Sequence, residues 1–193
     1  MESQEQKQLA MLQNLDGVFE EKIRRARRQR DWIVFLVQTV SIMLAVYLLL
    51  TQVIGIMVVR GDSMSPTVND GDVMLIWRLS GSYKSGDVVF FSTPASETAL
   101  VKRVIAGGGE TVEFTEDGYV LVDDGFVDES YLAIQGITAP GAAAYPLTVD
   151  DRHYFVMGDN RTAALDSRDA SIGLVPEKKI IGKMVFLFRL GGR

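Results

Sequence analysis

Ser63 sits in the stretch VVRGDSMSPTVNDGDVML (Val58–Leu75), among glycines and acids, directly after a long apolar run. A serine hydroxyl becomes a nucleophile only where a neighbouring base takes its proton, and that base is usually histidine. The only histidine, His153, opens the apolar stretch HYFVMG, where packing is enough to explain it. The chain has no cysteine. Lysine is therefore the remaining base for a serine, but it faces a steep requirement. With an ordinary pKa of ~10.4, about one lysine in 2,500 is neutral at pH 7. Poising one near neutrality takes a drop of about three units, roughly 4 kcal/mol against the cation, which burial without a counter-ion supplies.

Four of the lysines past the apolar run do not meet that requirement. Lys84 lies in a turn, Lys178 and Lys179 adjoin each other and Glu177, and Lys183 opens the last apolar stretch. Lys102, in ALVKRVIA, is different. A period of two puts Leu100, Lys102 and Val104 on one face of a strand and Val101, Arg103 and Ile105 on the other. An amine with apolar neighbours on both sides is the best candidate for desolvation. The same spacing also suits an edge strand that carries a charge against aggregation. A third stretch, GDNRTAALDSRDASIGLVP (Gly158–Pro176), alternates Asp159, Arg161, Asp166, Arg168 and Asp169, with Asn160 and Ser167 between them. A loop held by ion pairs accounts for such a pattern. A calcium loop does not, because it needs a bidentate acid at the right distance and no arginines. One histidine without cysteines also excludes a structural zinc site. Neither a metal nor a cofactor is expected.

The surrounding elements must bring these pieces together. Residues 32–54, WIVFLVQTVSIMLAVYLLLTQVI, contain no formal charge and raise the mean hydropathy of the 193-residue chain to +0.12. Twenty-three residues are long enough to cross a ~30 Å hydrocarbon core. The segment is too long for a cleaved signal peptide and lacks an Ala-x-Ala site. Six cations (Lys22, Arg24, Arg25, Arg27, Arg28 and Arg30) precede it, so the N-terminus is expected in the cytoplasm and the rest outside. The expected division is a basic amphipathic segment at 1–31, a transmembrane helix at 32–54 and an outer domain at 55–193. Leu9, Leu12, Leu15, Phe19 and Ile23 give the first segment its helical spacing. The outer domain carries 13 Lys and Arg against 19 Asp and Glu, which argues against nucleic acid as a partner. Short apolar runs alternate there with glycine and aspartate turns: DVMLIW, DVVFFS, ALVKRVIA, ETVEF, YVLV, HYFVMG and KMVFLFRL. This predicts a mainly β fold, an antiparallel β domain behind one N-terminal helix. Ala163–Ala170 is the one helix-compatible piece of that domain.

Together the three charged segments resemble the bacterial type I signal peptidases, membrane-anchored serine proteases with a Ser–Lys pair. GDSMSPTV is similar to that family's nucleophile box, VKRVIAGGGETV to its lysine box and YFVMGDNRTAALDSR to its last box. The resemblance covers residues ~32–190 and implies Ser63 as nucleophile, with its own backbone N–H in the oxyanion hole, and Lys102 as general base. It implies Arg103, Asp159, Asn160, Asp166, Ser167 and Arg168 as the site's scaffold. It makes Val59, Met64, Leu100 and Val101 the lining of small pockets for alanine-sized residues at −1 and −3. The implied activity is removal of signal peptides from exported preproteins at the outer face of the plasma membrane. The implied partners are those signal peptides, the lipid bilayer and the secretion translocon.

Three positions depart from the family pattern. Ala164 stands where a serine hydroxyl helps hold the lysine, a hydrogen bond worth on the order of 1 kcal/mol. Gly61 stands where some members have an oxyanion-hole serine, and AGGGE replaces a Gly-x-Pro-Gly-Asp turn. An inactive relative that assembles surface structures is the alternative reading, but it predicts loss of the serine or the lysine, and both are present.

Overall fold

The computed structural model describes residues 2–79 and 81–189, without the side chains of residues 2–16 and 18. Helix α1 runs unbroken over Glu2–Val53. Expected as two segments, the N-terminal part is one helix, and Gly17 does not interrupt it. Leu9, Leu12 and Leu15 of the expected amphipathic face lie outside the described side chains. Phe19–Val53 is long and apolar enough to cross a membrane. Its large apolar side chains from Trp32 to Leu50 are exposed, for example Ile42 at 64% and Met43 at 67%. The helix ends at Val53, and Ile54, expected to close the span, already belongs to the first strand.

The chain divides into two compact units, Met1–Leu50 and Thr51–Arg193. The second is built from β1 (Ile54–Val58), β2 (Val73–Trp77), β3 (Val88–Phe91), β4 (Leu100–Gly107), β5 (Thr111–Phe114) and β6 (Val120–Val122). These are followed by β7 (Gly125–Phe126), β8 (Leu147–Thr148), β9 (His153–Met157), β10 (Val175–Pro176) and β11 (Ile180–Phe188). All pairings among these strands are antiparallel, as expected. A seven-stranded sheet runs β1-β2-β11-β3-β4-β9-β10, and a four-stranded sheet runs β7-β6-β5-β8. The expected runs became strands because each is rich in β-branched and aromatic residues and bounded by turn residues. Ala163–Ala170 forms turns, not a helix. Ion pairs and Asp-backbone bonds hold it in that form.

The seven-stranded sheet matters most to the site. β4 lies between β3 and β9, with Lys102 opposite Val89 and Arg103 opposite both Val88 and Met157. Six consecutive residues of β4, Val101–Ala106, are buried. Lys102 is therefore in the middle of a sheet and not on an edge strand. Val59, Met64, Met74, Ile76, Phe90 and Val101 pack as one cluster. Val89, Phe91, Val104, Tyr154 and Val156 pack as another. Each such side chain contributes roughly 1.5–3 kcal/mol by burial.

Candidate active site

Ser63 follows β1 in a turn-rich segment whose own bonds fix its shape. Ser65 N–H donates to Asp62 O (3.1 Å), Val68 N–H to Met64 O (3.0 Å) and Val59 N–H to Asp72 O (2.8 Å). Gly61 adopts φ +85°, a conformation glycine enters without steric cost, and its N–H donates to Asp70 Oδ1 at 2.8 Å. From β4, Lys102 Nζ reaches Ser63 Oγ at 2.6 Å and Val101 O at 2.9 Å. Thirty-nine residues of sequence separate the two side chains.

The electrostatics of that contact follow from burial. Lys102 is 2% exposed and forms no ion pair among the described residues. Desolvation pushes its pKa down to about 8, against the raising pull of Asp166 and Asp159, while Arg168 adds to the lowering. At pH 7 about a tenth of such lysines are neutral, some 250 times the fraction of a solvated one. The Ser63 amide donates no hydrogen bond among the described residues, so it is available to an oxyanion.

The scaffold residues are all brought to this neighbourhood. Arg103 donates to both oxygens of Asp159 (2.8 and 2.6 Å), to Gly86 O and to Thr67 Oγ1. Arg168 holds both oxygens of Asp166 (2.9 and 2.8 Å), and Gly158 N–H donates to the same carboxylate. Ser167 Oγ accepts from Val156 N–H, tying the loop to β9. Asn160 donates through its backbone to Ser63 O (3.1 Å) and through Nδ2 to Asp62 O (3.2 Å). Gly158 is required for this approach. A Cβ there would sit 2.5 Å from Ser63 O and overlap Ala164 Cβ.

A cleft of about 240 Å³ opens beside Ser63 and Lys102. Val59, Met64, Leu100 and Val101 all line it with Ser63 and Lys102. Met57, Val58, Arg60, Phe90, Thr98 and Ala99 also line it, and sequence reasoning missed them. Phe90 had a signal, since its strand supplies the residue directly opposite Val101. Glu129, Thr138 and Tyr131, which contact Arg161, had none. They lie 32, 23 and 30 residues from it in an irregular segment. His153 keeps away from this chemistry, with its Nδ1 on Asp151 O. Of the departures, the glycine turn is closed by Glu110, whose Oε2 accepts from Gly107 N–H at 2.6 Å. At the lysine, the Val101 carbonyl provides an anchor without any hydroxyl from position 164.

A hydroxyl touching a buried amine, next to an unoccupied amide donor, is the equipment of a serine hydrolase. The family model for "Signal peptidase, peptidase S26" matches residues 29–189. Signal peptidase I of Bacillus licheniformis is 34% identical over 140 residues, covering 67% of this chain and 74% of that protein. Signal peptidase I T of Bacillus subtilis is 35% identical over 140 residues, covering 67% and 71%. A crystal structure of a signal peptidase I from Enterococcus faecalis shares 29% identity at a TM-score of 0.45, covering 53% of this chain and 96% of that one. The chain belongs to the signal peptidase family, peptidase S26, a family of serine endopeptidases.

Proposed function

We propose that this chain removes signal peptides from exported preproteins by a Ser63–Lys102 mechanism. The observation that carries the reading is the 2.6 Å contact between Lys102 Nζ and Ser63 Oγ around a buried amine that has no carboxylate partner among the described residues. In the neutral form, Lys102 keeps Val101 O as its acceptor and takes the proton of the Ser63 hydroxyl. Ser63 Oγ attacks the scissile carbonyl, and the developing oxyanion meets the Ser63 N–H. The lysine ammonium then gives its proton to the leaving amine, which departs and leaves an acyl-enzyme. The same amine, neutral again, activates the water that hydrolyses the ester.

The substrate reading is supported by where the cleft lies. Its walls come from Met57–Arg60, where edge strand β1 runs out, and from Thr98–Lys102 at the start of β4. An extended peptide adds there as a strand, and main-chain hydrogen bonds supply affinity. Val59, Met64 and Val101 are buried, so the space beside them suits alanine-sized side chains at −1 and −3. The anchor reading is supported by the exposed apolar length of α1 and the cations before it. Residues 32–53 span the plasma membrane, the N-terminus stays in the cytoplasm, and the domain from 55 onward works at the outer face. The bilayer and the translocon deliver the cleavage site to an enzyme confined beside it.

The test is cleavage of an exported preprotein by Ser63→Ala and Lys102→Ala variants of the full chain. Loss in both is expected, and near-full processing by either ends the dyad assignment. Protease digestion of sealed vesicles checks the topology, with residues 55–193 expected to be cut only from the outer side.

A further inference from the structure

Twenty residues between β7 and β8, 127–146, form neither helix nor strand. Connections of that length inside compact domains usually have work to do. This one buries polar groups: Glu129 is 4% and Thr138 2% exposed. Both converge on one cation, Arg161, itself 5% exposed. Arg161 Nη1 donates to Glu129 Oε1 and to Thr138 Oγ1, and its Nη2 donates to the Tyr131 hydroxyl at 3.1 Å. The ring of Tyr131 meanwhile stacks on a second arginine, Arg103. Arg103 Cζ lies 3.9 Å from the ring centroid, and Arg161 Cζ 5.9 Å. Burial pushes the Tyr131 phenol up to about 12, so its hydroxyl stays protonated and neutral.

The two arginines grip the same piece of chain. Arg103 holds the Asp159 carboxylate through two bonds, and Arg161 Nε donates to Gly158 O at 3.1 Å. That piece continues into Asn160, which holds the Ser63 and Asp62 carbonyls. Arg103 also adjoins Lys102 in β4. The connection, the two arginines, residues 158–160 and the nucleophile's turn therefore make one continuous path of direct contacts. Beside apolar Leu132, this segment buries an acid and a hydroxyl against Arg161, whose Nε holds the Gly158 carbonyl next to Asp159.

We propose that Tyr131 and Glu129 are positioning residues for the Ser63–Lys102 pair, clamping Arg103 and Arg161 and through them the turn that carries the nucleophile. The proposal rests on the dyad reading above. Tyr131 locks the orientation of both guanidinium planes, and Glu129 neutralises the buried Arg161. Without the ring, Arg103 swings on its long side chain and its grip on Asp159 loosens. Lys102 would then feel more of the Asp159 carboxylate, while Asp166 and Arg168, which pair with each other, keep their opposing pulls. Its amine would hold its proton to higher pH.

The experiment compares Tyr131→Leu, Tyr131→Phe and Glu129→Gln in the full chain in detergent, measuring kcat, KM and the pH profile of peptide cleavage. Tyr131→Leu is expected to lower kcat roughly 10- to 100-fold with KM within about twofold, the cost of slight misplacement of reacting atoms. The rising limb of its pH profile moves to higher pH. Tyr131→Phe keeps the ring over Arg103 and stays within about threefold of the parent, a conservative rescue that a bulk packing role would not distinguish so sharply. Glu129→Gln lowers kcat by roughly three- to tenfold. A folded Tyr131→Leu enzyme with the parent's kcat and an unmoved profile would overturn the proposal. Should that variant not fold, parental kcat in both Tyr131→Phe and Glu129→Gln does the same. Cleavage surviving in Lys102→Ala would sink the dyad itself, whatever the loop variants do.

Discussion

Two neighbouring regions of the β domain bury cations in opposite ways. Beside Ser63, Lys102 is buried with a hydroxyl and a carbonyl for company. In the adjoining bracket, Arg103, Arg161 and Arg168 are each buried against a carboxylate, from Asp159, Glu129 and Asp166 respectively. Burial without a counter-ion destabilises the charged form and makes a base. Burial against a carboxylate keeps the charge and makes a rigid strut, bidentate at Asp159 and Asp166 and through one oxygen at Glu129. Lys102 and Arg103 are consecutive residues of one strand, so the difference lies in what faces each side chain and not in depth.

The largest expected effect comes from giving the first region the chemistry of the second. Lys102→Arg installs a cation that does not deprotonate, and kcat/KM should fall about 10³-fold or more, measured on a peptide substrate with the fold checked by circular dichroism. Retained activity would mean the base lies elsewhere. The reverse change leaves a strut without its partner. Asp159→Asn orphans the buried Arg103 and should lower unfolding stability by roughly 3–5 kcal/mol in a denaturant titration.

Lys102→Met tests the cost of the unpaired amine. The lysine's pKa falls from 10.5 in the unfolded chain to about 8 in the folded one, a penalty of about 3 kcal/mol at pH 7. The inactive Met variant should therefore be more stable than the parent below pH 8. Between about pH 8 and 10.5 the unfolded parent binds more protons than the folded one, so the parent regains stability and the gap closes. Thermal melts across that range measure it, and a gap that widens with pH contradicts the assignment. The same protonation sets a smaller effect on rate. With Lys102 as the proposed base the neutral amine is the active form, so kcat/KM should rise about tenfold from pH 7 to a plateau above pH 9, with a midpoint near 8. The smallest effect belongs to an exposed pair. Arg25 and Glu21 on α1 lie 2.5 Å apart in solvent, and Glu21→Gln should leave the melting temperature of the β domain unchanged.

Much of this organisation is legible in single stretches of the chain. Charge-free length marks residues 32–53 of α1, and alternating apolar runs between glycine and aspartate turns mark the strands around the site. Strand boundaries slipped where two signals met. Ile54 reads as the end of an apolar run, but its partner Trp77 makes it the start of β1. Lys102 could be singled out by its flanking apolar residues, yet the same spacing fits an edge strand. The pairing of β4 with both β3 and β9 decides between the two.

Local sequence thus determined which residues had suitable chemistry: a serine in a turn, a lysine between apolar neighbours, an acid-and-arginine loop. It determined these because hydrophobic periodicity and turn propensity act over a few residues. Only the tertiary structure decided that Nζ meets Oγ across 39 residues, that Glu129 and Tyr131 reach Arg161, and that no carboxylate among the described residues touches the amine. Desolvation and counter-ion contact are properties of the space around an atom, and that space is assembled from segments far apart in the chain.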